Sequence, residues 1–216
     1  TLTGRVSKWI FKFAVAKEYQ GSDQYTVKTI SDLGTTLEAV KANAEKIVSD
    51  NKAKSDYKKL SAYKKEICDR VSYDSAAAAD PSMAYGSPWQ MLDVFSGKTG
   101  VKVVCEGYAK AFQYLCDLTC GVADDPLGSS EGLSGFSDTE LSCYTVTGTM
   151  KKDDGTAENH MWNIVSTGGN NYLVDVTNCD SGTIGEPDKL FMVGGTKKAE
   201  GQYEVTIGTN TITYTF

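Results

Sequence analysis

The chain has 216 residues, 40% of them hydrophobic and 23% charged, which fits one ordinary globular domain with a sizeable core. Its formal net charge of -6 repels nucleic-acid phosphates and anionic lipid headgroups, and no basic stripe reverses that charge locally. No stretch approaches the ~18 consecutive apolar residues of a membrane span. Nucleic-acid-binding and membrane-spanning classes are therefore disfavoured.

The N-terminal segment VSKWIFKFAVA has its apolar side chains at a period of two, which predicts a strand or an extended arm. The positions concerned are Trp9, Phe11, Phe13 and Val15. Residues 1–34 are interpreted as an N-terminal extension packed on the core, and residues 35–216 as the main domain.

Two amphipathic helices are predicted next, in TTLEAVKANAEKIVSD and in DYKKLSAYKKEICDRVSYD. Their apolar faces are Leu37, Val40, Ala44 and Val48 in the first, and Tyr57, Leu60, Tyr63, Ile67 and Val71 in the second. The lysines of the second helix are interpreted as a solvated face. The following SYDSAAAADPSMAYGSPW is rich in turn residues and predicts a loop, with a short helix from about Trp89 to Phe95.

Beyond a helix that starts near residue 105, the pattern changes from helices to strands. Residues 121–140 lack apolar periodicity and predict a long surface loop. Six strand patterns follow: SCYTVTGTM, NHMWNIVS, NYLVDVT, KLFMV, QYEVTI and TITYTF. Helices first and strands afterwards predict an α+β domain with an antiparallel sheet.

The six cysteines include no CxxC pair, so neither a disulfide framework nor a zinc site is clearly signalled. We interpret most of them as buried thiols that act as small hydrophobic side chains. The alternative is that Cys116 and Cys120, together with Cys143 and Cys179 on neighbouring strands, ligate a metal or form bridges.

Cys105 lies in VKVVCEGYAKAF, where a run of β-branched residues changes into a helical pattern. The apolar stripe of that helix is Tyr108, Phe112, Leu115 and Cys116. Cys105 is thus at or within one turn of a helix N-terminus, where unpaired N–H groups and the helix dipole favour an anion. Gly107 leaves room for close backbone approach, and a neighbouring N–H is available to a developing oxyanion. A reactive thiol and a merely buried one are both consistent with this pattern.

His160 is the chain's only histidine, and the next predicted strand carries Asp175 between two valines. If STGGN forms the turn of a hairpin, residue pairs that sum to 335 or 337 put His160 opposite Asp175 or diagonal to it. Trp162 and Leu173 would share that face and shield the pair from water. The carboxylate would then hold the imidazole, leaving its other nitrogen for a thiol. The alternatives are a satisfied histidine at a strand end and an aspartate exposed on an edge strand.

The blocks VVCEGYAKAF, HMWNIV and YLVDVT, in this order and spacing, resemble the signature blocks of the transglutaminase-like superfamily, bacterial branch, which is related in fold to the papain-like cysteine proteases. SYDSAAA and MAYGSPWQMLDVFSGKTG also resemble that family, and the resemblance covers roughly residues 35–195. It implies a papain-like or transglutaminase-like core in which the nucleophile helix packs on the antiparallel sheet. It further implies Cys105 as nucleophile, His160 as general base and acid, and Asp175 as the orienting carboxylate.

The resemblance also bears on residues around this triad. It implies that the Cys105 N–H contributes to an oxyanion hole, for which Trp89 and Gln90 are candidates for the second donor. Tyr108 and Trp162 are interpreted as residues of the site wall or of the packing around it. Met161 departs from the family, which often has a small residue there, and is expected to narrow the site.

The implied reaction is acyl transfer or hydrolysis on protein or peptide amides through a thioester. Water as acceptor gives a protease or amidase, and an amine gives a transglutaminase. Cell-envelope peptides are among the substrates considered, and no cofactor or metal is expected. The alternatives are a catalytically silent binding or structural module on the same fold and a metal-dependent hydrolase that uses His160 and the cysteines.

An extracellular or cell-surface location is the expectation for this chain, with a cytoplasmic one left open. It rests on a start at Thr rather than Met, on strands rich in Thr, Gly, Ser and Tyr, and on the acidic composition. The first residues have no signal-peptide pattern, so we expect a mature or trimmed form whose targeting signal lay further upstream.

Overall fold

A computed structural model describes residues 14–15, 19–29, 33–80, 82–83, 86–120 and 141–216. The predicted N-terminal strand, apart from two of its residues, and the predicted loop at 121–140 lie outside these ranges. The chain divides into two compact units, residues 1–36 and residues 37–216. In the first unit, Gln20 and Val27 form an isolated antiparallel bridge. The packing of the first 34 residues on the core stays a prediction.

The described residues contain five α-helices, and both predicted amphipathic helices are confirmed. The helices are α1 (Leu33–Asn51), α2 (Asp56–Arg70), α3 (Ser75–Ala79), α4 (Trp89–Val94) and α5 (Cys105–Cys120). The expected short helix is α4, whereas α3 falls in a stretch predicted as loop. Val40, Ala44 and Val48 are buried on α1, as their spacing predicts.

The predicted faces of α2 were wrong in two respects: two of the lysines expected in solvent are buried, and one tyrosine expected in the core is exposed. Lys59 and Lys64 are buried, and the Lys64 ammonium donates to the carbonyl of Pro187 at 2.7 Å and pairs with Asp188. Tyr57, expected inside, is 55% exposed. A long lysine stem covers apolar surface readily when its charged end finds a partner, so helical spacing alone did not reveal which lysines are buried.

Two small strands, β1 (Val71–Tyr73) and β2 (Val101–Val103), pair in parallel, and β2 comes just before α5. The predicted second helix therefore ends at Arg70, and Val71 belongs to a strand. Because β2 is followed after one residue by α5, this pairing fixes the point at which α5 begins.

The main sheet has seven strands in the order β6-β5-β4-β3-β9-β8-β7, and its paired strands are all antiparallel. The strands are β3 (Ser142–Lys151), β4 (Ala157–Thr167), β5 (Asn170–Val174), β6 (Phe191–Val193), β7 (Thr196–Ala199), β8 (Gln202–Ile207) and β9 (Asn210–Thr215). The predicted α+β class and antiparallel sheet are confirmed. Strand β7 was not predicted from the sequence, and β5 was predicted to extend beyond Val174, where it ends.

Helix α5 forms the centre of the core. Its predicted apolar stripe, Tyr108, Phe112, Leu115 and Cys116, is completely buried. The helix contacts α2 and α4 and also β3 and β4 of the large sheet. Asn163 of β4 donates to the carbonyl of Ala109 at 3.0 Å, so a polar contact in the core fixes the helix on the sheet. In the part of the chain that the structure describes, no helix is both long and apolar enough to cross a membrane.

Candidate active site

Cys105 is the first residue of α5, as the sequence predicts. Its side chain lies in a cavity of about 360 Å³ lined by Cys105, Thr147, Gly148, Thr149, Asn159, His160 and Met161. The residue is 6% exposed, which limits access to the thiol without closing it off. A thiol at a helix start is close to backbone N–H groups that have no partner within the helix, and these favour its anionic form.

The two residues after Cys105 explain why the segment reads Cys-Glu-Gly. Glu106 is completely buried, and its two carboxylate oxygens accept from the Gly86 N–H at 2.9 and 3.0 Å while Lys110 balances its charge. A Cβ on Gly107 would lie 2.6 Å from the Val103 Cβ and 2.8 Å from the Gln90 carbonyl oxygen. Gly107 is thus required for close packing of the α4 segment against the start of α5.

The hairpin that carries His160 and Asp175 has one of the two predicted registers. Asn163 pairs with Val174, which is the register that makes His160 and Asp175 diagonal neighbours. The turn consists of Gly168 and Gly169 with φ of +57° and +75°, the signs that a two-residue type I′ turn requires. Asp175 itself follows the last ladder residue of β5 instead of lying within the strand, which corrects the prediction.

Three side chains converge on one oxygen of Asp175, which is completely buried. Oδ2 lies 2.9 Å from His160 Nε2 and accepts hydrogen bonds from Asn178 Nδ2 at 2.8 Å and from the Tyr214 hydroxyl at 2.8 Å. Oδ1 accepts from the Asn178 N–H at 3.2 Å. The bond from Nε2 leaves the other imidazole nitrogen free of Asp175, and the ring lines the same cavity as the Cys105 thiol. Cys105 and His160 thus share a cavity, and His160 is bound to Asp175.

Asn178 and Tyr214 were not predicted from the sequence. Asn178 lies in a 3-10 helix, Thr177–Cys179, that begins two residues after Asp175. An aspartate that accepts from an N–H three residues later is a common start of such a turn, and Asp-Val-Thr-Asn carried that signal. Tyr214 comes from β9, 39 positions along the chain from Asp175, and no local pattern indicated it.

Electrostatics make His160 and Asp175 an ion pair. Burial disfavours the charged imidazole, but the charge and hydrogen bond of Asp175, with a smaller contribution from Cys105, raise the pKa of His160 to about 10. Burial also opposes ionisation of Asp175, but His160 together with Asn178 and Tyr214 lowers the pKa of that carboxyl below its usual range. At neutral pH the pair is an imidazolium and a carboxylate.

The raised pKa of His160 predicts a stability that falls as the pH rises. Between pH 6.5, the ordinary pKa of the unfolded side chain, and about 10, the folded chain keeps a proton that the unfolded chain releases. The contribution is complete below pH 6.5 and is lost through this window at about 1.4 kcal/mol per pH unit. Urea unfolding at pH 7 and pH 8, below the ordinary thiol pKa of ~8.5, measures it.

The matched control for that measurement is His160→Gln. The wild-type free energy of unfolding should fall by about 1 kcal/mol more than that of the variant between the two pH values. Equal falls would show that His160 is neutral in the folded protein at pH 8.

The remaining predicted site residues divide between the site and the packing around it. Gln90 accepts the Val104 N–H on its side-chain oxygen at 2.9 Å, immediately before Cys105. Trp89 is only partly buried and packs against the core at the start of α4. Tyr108 is completely buried and donates to Asp180 at 2.6 Å, which makes it a packing residue. Trp162 is stacked on His160 with ring centres 6.1 Å apart.

Met161, which is predicted to narrow the site, lines the cavity of Cys105. It is 8% exposed and forms a small buried cluster with Cys105 and Ala109. Its thioether thus covers apolar surface beside the thiol and narrows the cavity there.

The six cysteines, all within described segments, form no disulfide. Cys116 and Cys143 are buried hydrogen-bonding neighbours, and burial, more than the contact between them, raises the pKa of Cys116. Cys179 lies in the 3-10 helix and not on a strand, contrary to the sequence reading. Among described residues, no three His, Cys, Asp or Glu side chains lie close enough together to hold a metal ion.

No protein-family model matches the sequence, and a search of curated proteins finds no relative. Comparison with solved structures finds similarity to a protein described as "Crystal structure of a TGase", with a TM-score of 0.44 and 17% sequence identity. The match covers 80% of this chain and 37% of that one, so the chain spans well under half the length of the protein it resembles. Any chemistry assigned to the site must therefore rest on the site's own geometry.

Proposed function

We propose that this protein is a cysteine-dependent acyltransferase or hydrolase that acts on protein or peptide amides through a thioester. The observation that supports it best is that the Cys105 thiol shares a cavity with the His160 imidazole, whose Nε2 lies 2.9 Å from the buried carboxylate of Asp175. The thiol and the imidazole line the same cavity, so a carbonyl group bound there would meet both.

In this proposal the Cys105 thiolate attacks the carbonyl carbon of an amide, and the C=O electrons move onto oxygen. As the oxyanion collapses, the C–N bond breaks and His160 protonates the departing amine. The acyl group is left on sulfur as a thioester. Water or a second amine then attacks the thioester and gives a proton to His160, and the C–S bond breaks to release the Cys105 thiolate beside the restored imidazolium. Asp175 stays ionised throughout and stabilises the imidazolium.

Two donors are proposed for the oxyanion. The first is the Cys105 N–H at the start of α5, where the helix dipole adds to the effect. The second is the side-chain amide of Gln90, which is the better of the two candidates named above. Its oxygen is fixed by the N–H of Val104, next to the nucleophile, and this bond leaves its nitrogen available as a donor.

The choice between water and an amine depends on how well the closed site excludes water. Met161 beside the thiol and Trp162 behind His160 both reduce water access. We propose peptide substrates, cell-envelope peptides among them, and an extracellular or cell-surface location.

The test is alkylation of intact protein by limiting iodoacetamide from pH 5 to pH 9, followed by mass spectrometry. Cys105 is expected to label fastest, and at neutral pH, because an adjacent imidazolium stabilises its thiolate. The fast label should disappear in Cys105→Ala, and the rate at pH 6 should drop about tenfold in His160→Ala. Glutamine-containing peptides, with and without an added amine, then separate hydrolysis from transfer.

A contrary result would be labelling of Cys105 no faster than the partly exposed Cys68 and Cys120, and only in alkaline solution. The protein would then be a binding or structural module with a silent triad.

A further inference from the structure

Tyr214, a side chain of the C-terminal hairpin, contacts the triad at Asp175. Its hydroxyl donates to Asp175 Oδ2 at 2.8 Å, the same oxygen that faces His160. The residue is completely buried, and its ring packs on Trp162 with centres 5.0 Å apart. Trp162 in turn stacks on the ring of His160. Tyr214 therefore contacts both the carboxylate and the aromatic ring that supports the imidazole.

We infer that Tyr214 is a positioning residue for the proposed reaction: it holds the Asp175 carboxylate ionised and aimed at His160. This inference rests on the proposed function. A hydrogen bond from a neutral donor to a buried carboxylate stabilises the charged form much more than the same bond to a neutral group would. Because Tyr214 and Asn178 bind the oxygen from two different elements, Oδ2 has little freedom to turn away from Nε2.

Other titratable groups also interact electrostatically with Tyr214 and Asp175. His160 faces Asp175 from β4, and Cys179 of the 3-10 helix interacts with both Asp175 and Tyr214. Glu158, near the start of β4, also interacts with Tyr214. Burial, with smaller contributions from Asp175, Cys179 and Glu158, raises the pKa of Tyr214, so its hydroxyl stays protonated and remains a donor wherever the site works.

A double-mutant cycle tests this role through the rate of Cys105 alkylation. Tyr214→Phe should slow the reaction about fivefold at pH 6, because only the hydroxyl is lost while the ring packing remains. The acid limb of the rate profile should also move to higher pH, because Asp175 loses a donor that favours its ionised form. In an Asp175→Asn background the same change should have less than about a 1.5-fold effect, because the amide has no charge to stabilise.

Tyr203→Phe is the matched control. Tyr203 lies on β8 of the same hairpin and stacks on Phe216, away from Asp175. Its substitution should leave both the rate and the acid limb unchanged. An equal slowing by Tyr214→Phe in both backgrounds would mean a general packing role and would overturn the inference.

Failure of this inference can be told apart from failure of the proposed function. If Asp175→Asn slows alkylation of Cys105 but Tyr214→Phe does not, only the positioning role of Tyr214 is refuted. If Asp175→Asn also leaves the alkylation rate unchanged, both the proposed triad and the positioning role of Tyr214 are refuted.

A second measurement needs no variant of Tyr214. Proton NMR of the wild type should show a slowly exchanging tyrosine hydroxyl that moves upfield in Asp175→Asn, since an amide is a weaker acceptor than a carboxylate. The buried hydroxyls of Tyr63 and Tyr108 interact with Thr119 and Asp180 and should not move. Absence of an Asp175-dependent hydroxyl signal would overturn the inference.

Discussion

Asp175→Asn is expected to lower the pKa of His160 by several units, from about 10 to near its ordinary value of 6.5 or below. The carboxylate provides the main stabilisation of the imidazolium, and without it burial alone opposes the charge. In the proposed mechanism Cys105 then loses its cationic neighbour, so we expect its alkylation at pH 7 to slow by about tenfold or more. The shape of the side chain is kept, so the fold should survive.

This shift can be measured without resonance assignment because His160 is the only histidine in the chain. Its imidazole carbon-bound protons give one titration curve for the wild type and one for the variant. Asn171→Asp is a suitable control, because it adds one negative charge at an exposed position of the same hairpin. A wild-type curve centred near pH 6.5, unaltered in Asp175→Asn, would show that no ion pair exists and would remove the basis of the proposed mechanism.

Gly148→Ala is expected to cost about 3 kcal/mol of stability and to disturb the site at the same time. Gly148 is opposite His160 in the β3–β4 ladder and lines the cavity of Cys105. A Cβ there would lie 2.0 Å from the Thr215 carbonyl oxygen and 2.8 Å from the far end of the Trp162 ring. The backbone of β9 would have to move away, taking the neighbouring Tyr214 with it. Thermal unfolding should show a midpoint lower by roughly 10 °C.

Gly194→Ala provides the matched control for Gly148→Ala. An added Cβ at Gly194 meets nothing within 4 Å, and the residue has no left-handed backbone conformation to lose. Its unfolding midpoint and Cys105 alkylation should remain those of the wild type. Equal midpoints for the two variants would show that β9 does not lie against Gly148 in solution.

The sequence-based predictions succeeded where neighbouring residues supply the structural signal. The start of α5 at Cys105 follows from a β-branched run that meets a helical stripe. The hairpin follows from the turn segment STGGN between alternating strands, which limited the register to two values, and the structure has one of them. Together these two local features placed the thiol, the imidazole and the carboxylate on elements that the fold brings together.

The same reasoning failed where a contact depends on a distant segment. Lys64 looked solvated because its partners, Pro187 and Asp188, lie more than 120 positions away. The role of Glu106 as an anchor for Gly86 was equally hidden, since the two are 20 positions apart with α4 and β2 between them. A period of two or of 3.6 identifies the buried face of an element, but it does not identify what covers that face.

By itself the sequence determined the α+β class, the place of Cys105 at a helix start and a hairpin that sets His160 either opposite Asp175 or diagonal to it. Tertiary structure alone decided that β9 lies between β3 and β8, and so brings Tyr214 onto the carboxylate. The physical reason is the range of the interactions. Turns, helix starts and alternation are set by backbone conformation within a few residues, whereas strand order is set by which apolar faces pack together across the whole chain.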